Sequence, residues 1–88
     1  MNDHPSAVAA DVHLTPTERR LWDALCLEPG RVYSRAELLA IAMPGTIVLP
    51  RTIDVHIRAL RRKLSQAARE IETVHGVGYC LASEGGRP

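Results

Sequence analysis

Six basic side chains crowd into residues 51–69: Arg51, Arg58, Arg61, Arg62, Lys63 and Arg69, with Asp54 as the sole acid among them. Guanidinium groups pair bidentately with phosphates and with the O6 and N7 acceptors of guanine, so this residue set is suited to binding a nucleic acid. On a wheel of 100° per residue, Ile53, Ile57, Leu60 and Leu64 form one narrow apolar stripe. The opposite pole holds Arg51, Val55, Arg58, Ala59, Arg62 and Gln66, while Thr52, Asp54, His56 and Lys63 lie on the flanks. Arg61 falls nearest the apolar edge, where a long side chain snorkels or finds a partner.

A rigid helix with one greasy side and one arginine side fits a DNA major groove. On this reading Arg51, Arg58 and Arg62 are the leading DNA contacts, and Val55 and Ala59 meet thymine methyls. Thr52 and Lys63 are expected at phosphates, and His56 serves either a phosphate or a structural hydrogen bond. Asp54 is expected to pair with Arg58 one turn on. Arg61 is assigned to an ion pair or a phosphate, and Arg35 is a lesser candidate for the DNA backbone. The bland alternative is a solvated charged face. The elements around the helix must decide between the two.

Other chemistry is sparse. The formal net charge of the 88 residues is only +1, so the basic segment is offset by acidic residues elsewhere. No phosphate loop, no nucleophile with a nearby base and no paired carboxylates appear, so no catalytic activity and no cofactor are expected. Cys26 and Cys80 stand too far apart to suggest a disulfide framework or a zinc pattern. Cys26 reads as core and Cys80 as a small strand residue. His4, His13 and His75 lack metal-ligand spacing. No apolar run is long enough to span a membrane, and Met1 to Val12 does not resemble a secretory signal.

The positioning elements begin at Thr15-Pro16-Thr17-Glu18, a capping box with proline at the first helical position and Leu14 as a hydrophobic staple. Leu21, Trp22, Leu25 and Cys26 recur at helical spacing, and Pro29-Gly30 stops the helix. Arg31-Val32-Tyr33 has room for a brief strand. Ser34-Arg35-Ala36-Glu37 repeats the capping box and opens a helix carrying Leu38, Leu39, Ile41 and Ala42, which Pro44-Gly45 ends. Thr46 to Leu49 is an apolar loop. The basic helix follows, from about Pro50 to Leu64, fraying through Ala67 and Ala68.

Ile71 to His75 alternates as a strand, Gly76-Val77-Gly78 turns, and Tyr79 to Ala82 returns. Val77 at the tip of this hairpin is a further candidate DNA contact. The expected fold is mainly α with a small β part: three helices and a C-terminal hairpin wing, a winged helix-turn-helix. Residues 1–13 are expected to be a flexible arm, 14–82 the domain and 83–88 a flexible tail. With an aromatic share of 3%, the core must be aliphatic.

The motifs Leu14-Thr15-Pro16-Thr17-Glu18, Pro29-Gly30-Arg31-Val32-Tyr33-Ser34-Arg35, Arg51-Thr52-Ile53-Asp54-Val55-His56-Ile57-Arg58, Leu60-Arg61-Arg62-Lys63-Leu64 and Thr73-Val74-His75-Gly76-Val77-Gly78-Tyr79 lie in order. Together they resemble the effector domain of OmpR/PhoB-type response regulators over about residues 14 to 82. The resemblance implies a cytoplasmic bacterial transcription regulator acting at the nucleoid. Its third helix would enter the major groove of double-stranded DNA, its wing would approach the minor groove, and the loop before the helix would touch RNA polymerase. Half-sites bound as pairs imply a monomer or weak dimer on DNA.

Departures from the family pattern accompany the matches. Thirteen residues before Leu14 leave room for one strand of the usual four-stranded N-terminal sheet, and Arg19 stands where an aromatic would pack on that sheet. The expected form is therefore a truncated effector domain without a receiver. Ala59 replaces a second base-reading arginine, Cys80 an arginine of the wing, and Met43 a tryptophan. These losses keep open a second function, in which the fold no longer reads DNA and instead docks on RNA polymerase or on another regulator. An effector domain excised from a longer regulator is a third possibility.

Overall fold

The computed structural model describes residues 13–64 and 71–82. They form, in order, α1 (Pro16–Leu27), β1 (Tyr33–Ser34), α2 (Arg35–Ala42), α3 (Thr52–Leu64), β2 (Ile71–Val74) and β3 (Gly78–Leu81). Three helices and a small antiparallel sheet are the architecture expected from the sequence. The N-terminal arm up to residue 12, the fraying expected at Ala67 and Ala68, Arg69, and the tail 83–88 lie outside the described residues.

Local chemistry sets the helix starts. The Thr15 hydroxyl accepts from the Glu18 amide at 3.1 Å, and the Thr15 amide donates to Glu18 Oε1 at 2.9 Å. Ser34 and Glu37 repeat the exchange at 3.0 and 2.8 Å at the start of α2. Each box satisfies two amides that a helix end otherwise leaves without partners. By contrast α3 starts through its own backbone. The amides of Thr52, Ile53 and Asp54 donate to the carbonyls of Leu49, Pro50 and Arg51, a tight turn that places Pro50 and Arg51 just ahead of the helix.

The core joins one face of each helix to the sheet. Leu21, Trp22 and Leu25 of α1 are fully buried against Leu38 and Ala42 of α2 and Ile53, Ile57 and Leu60 of α3. Leu14 packs on this cluster, as a staple residue should. Cys26 is core as expected; burial and then the charge of Asp23 push its thiol up to about 12. Ile41 differs from expectation, since it is exposed. It lies about 80° round α2 from the Leu38–Ala42 line, on the side opposite Leu39, which is the flank of this short helix that packs on the core.

The sheet order is β1-β3-β2, both pairings antiparallel. Tyr33 faces Tyr79 and Ser34 faces Gly78, while Ile71 to Val74 run opposite Leu81 to Gly78. The brief strand therefore closes a three-stranded sheet instead of standing alone. Two bonds secure it: the Tyr33 hydroxyl donates to the Ala24 carbonyl at 3.0 Å, and the Gly30 amide donates to the Leu81 carbonyl at 2.6 Å. The C-terminal hairpin is thereby moored to α1, and its tip, at His75 to Val77, is exposed.

Candidate nucleic-acid interface

With Ile53, Ile57, Leu60 and Leu64 buried, the period of α3 carries Val55, Arg58 and Arg62 to the outer side, with Arg51 just ahead of the helix; all four are exposed. Among the described residues Arg51, Arg58 and Arg62 make no hydrogen bond or ion pair, so their guanidinium groups are available. Thr52, His56 and Ala59 are half-buried on the flanks of the same face. Val77 is 48% exposed at the wing tip, and Val55 is 65% exposed on the basic face.

Four charged residues are engaged differently from the sequence expectation. The ammonium of Lys63, expected at a phosphate, donates to Glu18 Oε1 at 2.7 Å. Glu18 is 4% exposed, and the same oxygen accepts the Thr15 amide, so one carboxylate joins the start of α1 to the end of α3. Asp54 bonds not Arg58 but Arg35 Nε at 2.7 Å and the Tyr79 hydroxyl at 2.6 Å. Arg35 is thereby drawn from the DNA-backbone role considered for it. Arg61 makes no ion pair among the described residues; it donates to the Ile71 carbonyl at 2.8 Å and to the Thr73 hydroxyl at 3.1 Å.

Burial pushes the Asp54 carboxyl up, but hydrogen bonds from Tyr79 and Arg35 and the charges of Arg35 and Arg58 more than offset this, and it titrates below its ordinary value. Tyr79 is shifted upward by burial and by its bond to Asp54. Sequence spacing marked Arg61 as a residue at the apolar edge, yet gave no sign of the Asp54–Tyr79 bond, which spans 25 positions.

Glu18 also titrates below its ordinary range: burial raises it, and the Lys63 and Thr15 interactions outweigh that. A carboxyl that binds its proton less readily when folded stabilises the fold above its unfolded pKa. That contribution drains away as pH falls through the folded value. Glu18→Gln is expected to lower stability by about 1 kcal/mol near neutral pH. Urea unfolding along a pH series should show the gap to wild type shrinking below the carboxylate range; a constant gap contradicts the pairing.

The loop from Pro44 to Arg51 is exposed throughout. It carries Ile47, 99% exposed, and Leu49, 59% exposed, with Ile41 nearby in sequence at the end of α2. Among the described residues no group of three or more His, Cys, Asp or Glu could hold a metal ion, and no helix is long and apolar enough to cross a membrane.

Comparison with known proteins agrees with this architecture. BaeR, a transcriptional regulatory protein of Escherichia coli O6:H1, is 49% identical over 70 residues, covering 75% of the chain and 29% of BaeR. The phosphate regulon regulator PhoB of Rhizobium meliloti is 45% identical over 76 residues, covering 83% of the chain and 34% of PhoB. The chain thus spans about a third of the length of these curated relatives.

Among solved structures, the DNA-binding domain of the response regulator AdeR, in complex with an intercistronic region, superimposes with a TM-score of 0.74 at 34% identity. That match covers 82% of this chain and 74% of the other. The Klebsiella pneumoniae RstA DNA-binding domain, in complex with the RstA box, gives 0.67 at 30% identity, covering 81% and 74%. The family described as "Transcriptional regulatory protein, C terminal" matches residues 9–81. A match of that extent, on three helices and a hairpin in the expected order, makes this chain a member of that family of OmpR/PhoB-type winged-helix effector domains.

Proposed function

We propose that the chain is a sequence-specific, double-stranded DNA-binding transcriptional regulator. In this reading α3 lies in the major groove and the β2–β3 wing rests on the adjacent backbone or minor groove. The observation that carries it is the row of exposed guanidiniums at Arg51, Arg58 and Arg62, none with a hydrogen bond or ion pair among the described residues, on and just ahead of a helix whose other side is locked into the core. That AdeR and RstA domains of the same architecture were solved with DNA supports it.

Arg58 and Arg62 read base edges, Val55 and Ala59 pack on thymine methyls, and Arg51, Thr52 and His56 hold phosphates. Val77 approaches the minor groove. Lys63 is left out of this set, because Glu18 holds it. The protein acts by binding and not by catalysis, as a monomer or weak dimer on DNA, in the bacterial cytoplasm at the nucleoid. The exposed Ile47 and Leu49 give RNA polymerase an apolar contact beside the DNA face.

Selection of duplexes from random DNA, followed by anisotropy titrations along a salt series, tests the proposal. The expected result is one enriched sequence, bound with an affinity that falls steeply with salt. No enrichment and no binding at 50 mM salt, combined with retention on RNA polymerase, would replace this reading with the protein-docking one.

A further inference from the structure

Four side chains from three elements meet beside the arginine face. Tyr79 of β3 is 5% exposed, and its hydroxyl donates to Asp54 in the first turn of α3. The guanidinium carbon of Arg35, from α2, lies 5.2 Å from the centre of its ring, and that of Arg61, two turns further along α3, lies 5.6 Å from it. Arg35 also holds Asp54, and Arg61 also holds the backbone of β2 at Ile71. We infer that Tyr79, Asp54, Arg35 and Arg61 are positioning residues that set the rotation of α3 relative to the wing, and so determine how well the chain distinguishes one DNA sequence from another. The inference rests on the DNA-binding reading above and adds a mechanism of specificity to it.

The geometry gives the reason. Asp54 directly precedes Val55 and stands one turn before Arg58, and Arg61 directly precedes Arg62. Every outward candidate within the helix is thus next to, or one turn from, a residue tied to the wing or to α2. A guanidinium reaches about 9 Å from its helix axis, so a 20° rotation of α3 moves it by about 3 Å. That is a whole hydrogen-bond length, enough to lose a bidentate contact with a base edge. Phosphate contacts tolerate such a shift far better, because a charge acts over a longer range than a hydrogen bond. The apolar stripe fixes which face of α3 is buried, but its non-directional contacts define the rotation less sharply than hydrogen bonds do. The directional bonds of Asp54 and Arg61, one on each side of Tyr79 along α3, supply that sharper constraint.

Tyr79→Phe and Asp54→Asn test this, titrated against the duplex enriched from random DNA and against a scrambled duplex of equal length and composition. Tyr79→Phe keeps the buried ring and every charge. It is expected to lower the ratio of the two affinities about tenfold, with the affinity for scrambled DNA and the salt slope unchanged. Asp54→Asn is expected to lower the ratio in the same way, although loss of a negative charge beside the DNA face would by itself tighten binding to both duplexes. An unchanged ratio in both variants overturns the inference. So does an equal loss of affinity for both duplexes, which is what mere destabilisation produces. Thermal melts identify any variant that is unfolded at the assay temperature, and the result is then read from the other. If wild type enriches no sequence, the DNA-binding reading fails and the inference with it; enrichment by wild type with unaltered variants sinks the inference alone.

Discussion

Replacing Arg58 and Arg62 together by alanine is expected to weaken binding to the enriched duplex by about 10²–10⁴-fold, because each well-placed arginine on a base edge discriminates by about 1–3 kcal/mol. Both side chains are exposed and without a hydrogen bond or ion pair among the described residues, so their removal should leave the melting temperature nearly unchanged. The salt dependence separates the two kinds of contact. If both arginines also neutralise phosphates, the slope of log affinity against log salt becomes shallower by about two; if they touch bases alone, affinity falls and the slope stays. Arg51→Ala, at a position assigned to phosphate, should instead weaken binding to enriched and scrambled duplexes alike. A double variant that binds within threefold of wild type would remove α3 from the interface.

The second large effect is expected at Gly78. Its φ is not in the left-handed region, and it lies inside β3, opposite Ser34. A Cβ placed there would come 1.9 Å from the Tyr33 carbonyl oxygen and 3.0 Å from the Ser34 Cα. Both are backbone atoms, so no side chain can swing aside. Gly78→Ala must push β1 away from β3 and disturb the sheet that moors the wing, at about 3 kcal/mol. For a domain of this size that is a large share of the total stability. Gly76 is the control: its φ is +79° and nothing lies within 4 Å of a Cβ built there. Gly76→Ala therefore bears only the left-handed strain, about 1 kcal/mol. Urea unfolding of the two variants checks the order; a costlier Gly76→Ala would show that β1 does not press on β3 at this point.

Gly78 also shows where sequence reading stops. From the order Gly76-Val77-Gly78 both glycines read as turn residues. Only Gly76 is one, and Gly78 is required by a strand 44 positions earlier that pairs against it. The same division runs through the charged residues. Both capping boxes are as expected, because each partner lies three residues away and the helix itself brings them together. The buried stripe of α3, and hence the outward direction of Arg58 and Arg62, follows from a period of 3.6 residues acting within one element. Lys63, Asp54, Arg35 and Arg61 could not be placed that way. Their partners stand 10 to 45 positions away, on other elements.

Ile41 belongs with these four, since a helix wheel ranks its faces but does not tell how much of a short helix its neighbours will cover. From the chain of letters came the three helices, the hairpin, an interior that is mainly aliphatic, though Trp22, Tyr33 and Tyr79 are all buried in it, and the basic outer face, products of short-range geometry and of the drive to remove apolar surface from water. Which of the charged groups stay available, and which are used up in joining α1 to α3 and α3 to the wing, was decided by packing, because a hydrogen bond needs its two atoms within about 3 Å and only the folded arrangement brings distant residues that close.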